Sequence, residues 1–243
     1  MSLLRRARNI LRYGIGPKAR ERKRAVKRAA KRDRFASERW AHQGEFAQRR
    51  YASYEEYLDH QRSKLDGIVA RLRRNEAEAL VEFEERFRAC PELAPARSVL
   101  CLGARLGTEV RAFHRLGHFA VGIDLEPGPA NPYVLPGDFH HLVFSDGSVD
   151  AVYCNALDHV FDLERMVGEV TRVLAPGGVF LAEFEIGFGE GHTPGEFEAL
   201  HWRDSGALVA RIADVGKLAV ETTHELGQTS RGRRRLVGFR KPR

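Results

Sequence analysis

The 243-residue chain predicts an α/β fold centred on residues 98–185. Three observations carry that expectation. Short, continuous apolar runs recur at 98–102, 119–124, 133–135, 149–154 and 179–184. Helix-patterned segments at 109–116 and 163–174 separate them. A glycine-containing turn follows the first run, and an acid ends the second. Strands apolar throughout their length are buried on both faces, which suits a parallel sheet with helices on either side. A helix at 207–215 leads to two late strand patterns, 218–223 and 235–239, whose short connection suggests an antiparallel edge. The expected class is therefore α/β, a Rossmann-like doubly wound, mostly parallel sheet with an antiparallel edge strand. A helical, basic N-terminal extension precedes it, and we place the division at 1–92 and 93–243.

The extension reads as helical with almost no strand signal. Gly16-Pro17 marks a helix start, because proline suits the first helical position. Residues 18–35 are rich in alanine, arginine and lysine, good helix formers with a thin apolar stripe. Ser53 and Glu56 form a capping-box pattern. Leu65, Ile68, Leu72, Leu80 and Phe87 then recur near helical spacing, as in a lid packed on the main domain. Residues 1–50 hold seventeen lysines and arginines against four acids, a balance of +13, while the remainder stands at −6. The basic character is thus local. It suits attachment to nucleic-acid phosphates or to an anionic membrane surface, or else a solvated arm.

Composition excludes several classes. No run approaches a membrane span, and no apolar stretch of signal-peptide length follows the charged start, so the expected location is the cytoplasm. Cys90, Cys101 and Cys154 are far apart with no Cys-x-x-Cys pair; Cys101 and Cys154, inside apolar runs, read as small buried hydrophobes, and the three imply no metal site.

The chemistry-bearing residues begin at the turn Gly103-Ala104-Arg105-Leu106-Gly107 between the first strand and the first helix. Glycines there permit close approach of a ligand to the backbone, and the helix start offers free N–H groups to an anion. Asp124 ends the second strand about 20 residues on, where a carboxylate can accept from both ribose hydroxyls. Turn and acid together suggest an adenosine-containing cofactor.

A third group separates cofactor classes. Gly137-Asp138-Phe139-His140-His141-Leu142, the run from Phe144 to Asn155, and the phrase Arg172-Val173-Leu174-Ala175-Pro176-Gly177-Gly178 occur in this order. Over residues 97–185 this resembles the class I S-adenosylmethionine-dependent methyltransferases, particularly the methyltransferase type 11-like group with small-molecule substrates. The resemblance implies S-adenosyl-L-methionine as cofactor, held by Gly103, Ala104, Arg105, Gly107, Asp124, Leu125, Asp138, Phe139 and Asn155. It implies Asp124 on the ribose with Leu125 beside the adenine, Asp138 on the adenine amino group, and Phe139 flanking the ring. Asn155 would sit where cofactor meets acceptor. Two positions depart from the family: Cys101 stands where an acid is usual, and Arg105 where a glycine is usual.

Methyl transfer needs a general base only when the acceptor must lose a proton. Asp158 and His159 follow the fourth strand on the expected acceptor side and are the candidate catalytic residues; His159 also suits a helix cap or loop packing. His140, His141, His192, His201 and His224 read as surface or pocket polar groups. The expected acceptor is a small molecule or a carbohydrate-like compound. A nucleic-acid methyltransferase gripping its substrate with the basic arm is the alternative, and so is a non-catalytic cofactor-binding homologue, motivated by Cys101 and Arg105. A nicotinamide dehydrogenase fits least, because Gly-x-Gly-x-x-Gly is absent.

Overall fold

The computed structural model describes residues 17–128, 130–228 and 233–243; the first sixteen residues of the basic arm lie outside them. Helix α1 (Pro17–Phe35) begins at the expected proline and presents most of its lysines and arginines to solvent. Three further helices follow: α2 (Tyr54–Arg62), α3 (Lys64–Arg74) and α4 (Glu76–Arg88). The serine half of the capping box forms, with Ser53 Oγ accepting from the Glu56 amide at 3.2 Å, while the Glu56 carboxylate reaches one residue past the cap and accepts from the Ala52 amide.

Between α1 and α2 the structure departs from the helical expectation. Strands β1 (Trp40–Gln43) and β2 (Phe46–Arg49) form a hairpin around Gly44, whose φ of 58° supplies the left-handed turn residue. Strand β2 then pairs with β8 (Leu200–Trp202), giving a small antiparallel sheet in the order β1-β2-β8. Strands of three and four residues whose partner lies about 150 positions away leave almost no local signal.

The main sheet has seven strands in the order β5-β4-β3-β6-β7-β10-β9. Its first half is β3 (Ser98–Leu102), β4 (Phe119–Asp124) and β5 (Val134–Pro136). Its second half is β6 (Val149–Cys154), β7 (Leu174–Glu185), β9 (Ala219–Gln228) and β10 (Arg233–Arg240). The strands from β5 through β7 are mutually parallel, and β10 runs antiparallel between β7 and β9. The chain starts in the middle at β3, moves outward to β4 and β5, then returns to β6 on the other side of β3. Such a reversal opens a crevice at the carboxyl ends of β3 and β6, where α/β sheets bind ligands. Strand β7 starts at Leu174, five residues before the expected 179; Gly177 at φ 76° turns the backbone, and Gly178 leaves room for the Asp150 carbonyl.

Each face of the sheet has its own core. On one, α4 and α5 (Thr108–Arg115) pack together, with Phe87 stacked on Phe113 at 3.9 Å and edge-on to Tyr153. On the other, α6 (Leu163–Val173) and α7 (Ser205–Gly216) cover Leu100, Val152, Phe180 and Phe239. Glu183 is fully buried on β7, accepts from the Tyr153 hydroxyl at 2.6 Å and pairs with Arg86 and Arg234. One carboxylate thereby joins α4, β6, β7 and β10. Arg172 donates to the Leu142 and Phe144 carbonyls and pairs with Asp146 and Glu169. The arginine of the Arg172–Gly178 phrase therefore clamps the 142–146 segment.

Two histidines read as surface or pocket groups prove buried: His140 and His201 are each 1% exposed. Small-sheet pairing brings His201 under α1, among Phe35, Phe188, His192 and Trp202. Neither ring nitrogen has a hydrogen-bond partner. Burial, reinforced by the charges of His192 and Lys31, lowers its pKa to about 3. Below pH about 6.5 the unfolded chain binds this proton and the native state does not, so stability falls as pH drops toward 3. His201→Phe should therefore raise the urea midpoint. The gain should grow by about 1.4 kcal/mol per pH unit as the pH is lowered from 6 to 4. Parallel pH dependences for wild type and variant would refute this.

Candidate cofactor and acceptor site

Hydrogen bonds pin the turn after β3 to the end of β4. Ala104 donates to the Ile123 carbonyl at 3.0 Å, Gly107 to Ala104 at 2.7 Å, and the Arg105 amide to Asp124 Oδ2 at 3.0 Å. Asn131 Nδ2 donates to the Arg105 carbonyl at 2.9 Å. Gly103, Arg105 and Gly107 have φ values of 68°, 48° and 75°. Three left-handed residues in five explain why glycine suits position 105; an arginine there holds the same backbone at a steric cost. Asp124 Oδ1 accepts from the Glu126 amide at 2.9 Å. Each carboxylate oxygen has thus used one lone pair and keeps another for a ligand hydroxyl. Leu125, beside it, is part-buried, and Ala104 is buried within the turn.

Helix α5 starts at this turn, and its second residue, Glu109, is 5% exposed. Burial, with the field of Asp124, raises its carboxyl to about 8, although its own amide and Arg105 favour the charged form. Cys101, below it on β3, is fully buried. The position where an acid is usual thus holds a neutral thiol, while an acid buried against the same strand end comes from the helix. Its signal in the sequence was one carboxylate in the first turn of a helix whose Val110, Ala112 and Phe113 are buried.

Asp138 follows β5. Its Oδ1 accepts from the His140 amide at 2.9 Å and from His140 Nδ1 at 2.8 Å, and its Oδ2 from the Tyr54 hydroxyl. His140 Nε2 in turn accepts from the amides of Phe161 and Asp162, which fixes the proton on Nδ1. Burial raises the Asp138 carboxyl, but the His140 and Tyr54 hydrogen bonds outweigh it and hold the group at about 2. The α2 tyrosine is therefore a direct partner of the residue expected on the adenine. Phe139 is buried in the core beside His140. Asn155 directly follows β6 and is part-buried.

Asp158 and His159 lie in a 3-10 turn (Leu157–His159) after β6. His159 Nδ1 is 2.9 Å from the Phe197 carbonyl, which can only accept, so Nδ1 carries the proton. Nε2 keeps its lone pair and receives the Lys64 ammonium from the start of α3. The Asp158 carboxylate stands 3.7 Å from Nε2. Burial, then the charge of Lys64, lowers the His159 pKa well below the ordinary histidine value. Arg105 also lowers it, so the charge on the glycine turn reaches His159. Tyr57 closes the arrangement from α2, donating to the His159 carbonyl at 3.0 Å. The fold thus gathers Asp124, Arg105 and Glu109 at one part of the crevice and His159, Asp158 and Lys64 at its neighbour. Sequence reasoning missed Tyr54, Tyr57, Lys64 and Glu109.

The sequence and fold are similar to those of known methyltransferases. The methyltransferase-domain family matches residues 100–182. An uncharacterized methyltransferase of Mycobacterium sp. (strain KMS) is 34% identical over 122 residues, 45% of this chain and 48% of the relative. The 24-methylenesterol C-methyltransferase 2 of Oryza sativa subsp. japonica is 28% identical over 174 residues, 63% of this chain and 48% of the relative. The chain spans about half the length of the curated relatives it matches. Among solved structures, the Burkholderia thailandensis 1,6-didemethyltoxoflavin-N1-methyltransferase superposes with a TM-score of 0.59. It is 14% identical and covers 84% of this chain and 99% of its own. Residues 100–182, the segment that begins within β3 and carries the glycine turn, thus match the methyltransferase-domain family, and the fold around them is that of S-adenosylmethionine-dependent methyltransferases.

Proposed function

We propose that this chain binds S-adenosylmethionine and transfers its methyl group to a small organic acceptor. The observation that carries the reading is the clamp between the 103–107 turn and Asp124, which keeps carboxylate lone pairs available at the carboxyl edge of the sheet. The donor set fits the cofactor. Asp124 suits the ribose diol, and Asp138 Oδ2, now held by Tyr54, can accept from an adenine amino group. Leu125, Phe139 and Asn155 complete that binding set. Glu109 would take the cofactor's ammonium group, replacing the acid that Cys101 displaces, and the ammonium would supply the cation this buried carboxyl lacks.

When bound, the cofactor supplies an electrophilic methyl on a cationic sulfur. The chain's part is to align, to exclude water and to take a proton. In this reading Tyr54, Tyr57 and the 195–199 segment roof the crevice, and residues 1–92 act as its lid. His159, neutral and oriented by Phe197, is the proton acceptor at Nε2 once the acceptor displaces Lys64, and Asp158 lies close enough to stabilise the imidazolium. A compact roof of this kind favours a small molecule or a single sugar over a duplex. The sterol C-methyltransferase relatives support a carbon acceptor on a small molecule.

A second reading is favoured by α1, where Arg22, Arg24, Lys27 and Arg28 are all exposed. This exposed cationic surface supports attachment to a phosphate-rich polymer as substrate or anchor.

Three measurements test these readings. In a calorimetric titration S-adenosylmethionine should bind and NAD should not. Asp124→Ala should weaken binding by roughly 10–100-fold, the worth of hydrogen bonds to a charged group. Glu109→Gln should weaken S-adenosylhomocysteine about tenfold yet spare methylthioadenosine, which lacks the ammonium. Failure of S-adenosylmethionine to bind below millimolar would sink the cofactor assignment. In an NMR titration Lys64→Met should raise the His159 pKa, because one neighbouring cation is gone; an unchanged value removes Lys64 from the site. Finally, retention of single-stranded RNA should fall steeply with salt and be lost when Arg22, Arg24, Lys27 and Arg28 become glutamine; RNA binding indifferent to those changes removes the second reading.

A further inference from the structure

Away from the crevice, on the face carrying α4, three donors of different chemistry converge. Cys90 and Glu92 flank Pro91 at the start of a short 3-10 turn (Pro91–Leu93). His224 lies on β9, 132 residues beyond Glu92. Their donor atoms all lie within 4.8 Å of one another. Cys90 is 3% and Glu92 5% exposed, and His224 is part-buried at the sheet edge. Glu92 Oε1 accepts from the Thr222 hydroxyl at 2.6 Å and lies 3.3 Å from His224 Nε2. Thr222 and His224, two apart on one strand, share a face. Gly238 on β10 makes the space: a Cβ there would stand 3.0 Å from Glu92 Oε1.

This carboxylate is poorly provided for by the chain alone. Glu92 Oε2 is buried with no hydrogen-bond partner. Among the described residues no lysine or arginine pairs with Glu92; the nearby arginine, Arg86, pairs with Glu183. A buried carboxylate without a fixed cation is costly.

We propose that Cys90, Glu92 and His224 form a binding site for a zinc-class divalent cation. A thiolate and a carboxylate would neutralise a dication in this buried place. The mixture of soft sulfur, imidazole and one carboxylate suits zinc over magnesium or calcium, which take oxygen. Zinc bonds of about 2.0–2.3 Å require the donors to close to roughly 3.3–3.8 Å, an inward movement of about 1 Å. The half-buried His224 side gives a route from solvent and a place for a water as fourth ligand. The Cys90 thiol, which burial and Glu92 raise to about 12 in the free chain, must release its proton on binding, so affinity should rise with pH. Bound metal would pin edge strand β9 to the segment joining α4 to β3. It lies on a different part of the sheet from the cofactor crevice and does not depend on the methyltransferase reading.

The test uses the full chain without a histidine tag, stripped of metal, titrated with Co²⁺ and then with Zn²⁺. The expected result is one equivalent of Co²⁺, a thiolate-to-cobalt charge-transfer band in the near ultraviolet, and its loss on adding Zn²⁺. Cys90→Ser should abolish the band, and His224→Ala, an edge substitution that leaves the core intact, should weaken binding at least tenfold. A wild-type protein that shows no band at one equivalent overturns the proposal. So does uptake that is equal in the wild type and His224→Ala.

Discussion

The close approach of the turn after β3 to the end of β4 is the constraint on which the crevice depends. A Cβ on Gly122 would lie 2.6 Å from that of Ala104 and about 3 Å from Val110 and Val134. With hydrogen there instead, the turn settles onto β4 and the Arg105 amide reaches Asp124. That contact sets where helix α5 starts and where its free amides point. It also brings Glu109 to the end of β3, beside Cys101. Arg105 holds its left-handed φ of 48° within this same turn. A departure from glycine at 105 is therefore tolerated in the backbone, and its consequence is a cation at the mouth of the site.

Buried charge organises the rest of the molecule unevenly. Glu183 has two arginines and a tyrosine hydroxyl, a set that balances the charge of a carboxylate in a low-dielectric interior and ties four elements together. Asp138 is held by a histidine and a tyrosine and stays strongly ionised. Glu109 and Glu92 are less completely partnered. In the roles proposed for them, a ligand supplies to these two carboxyls the charge that the chain withholds.

The N-terminal extension packs against these groups. Tyr54 and Lys64 touch Asp138 and His159, and β2 completes the small sheet whose third strand carries His201. Helix α4 contributes Phe87 to the core and Arg86 to Glu183. Helix α1 projects a largely solvated, cationic surface.

Much of the α/β core was legible in the sequence because its signals are local. Apolar runs such as 98–102 and 149–154 report burial on both faces, and Gly103, Gly107 and Asp124 sit at spacings that a strand–turn–helix imposes. Burial of Cys101 and Cys154 followed from the same runs. Other features depend on distance in the chain. The pairing of β2 with β8, the tautomer of His159 set by the Phe197 carbonyl, and the meeting of Cys90, Glu92 and His224 each join segments with no shared pattern. His140 and His201 look like surface or pocket groups in sequence because polarity is read residue by residue, whereas burial is decided by what packs above. Local periodicity determined the strands, helices and glycine turn; only the tertiary structure decided which polar groups face each other, because hydrogen bonding and desolvation depend on neighbours brought in from elsewhere in the chain.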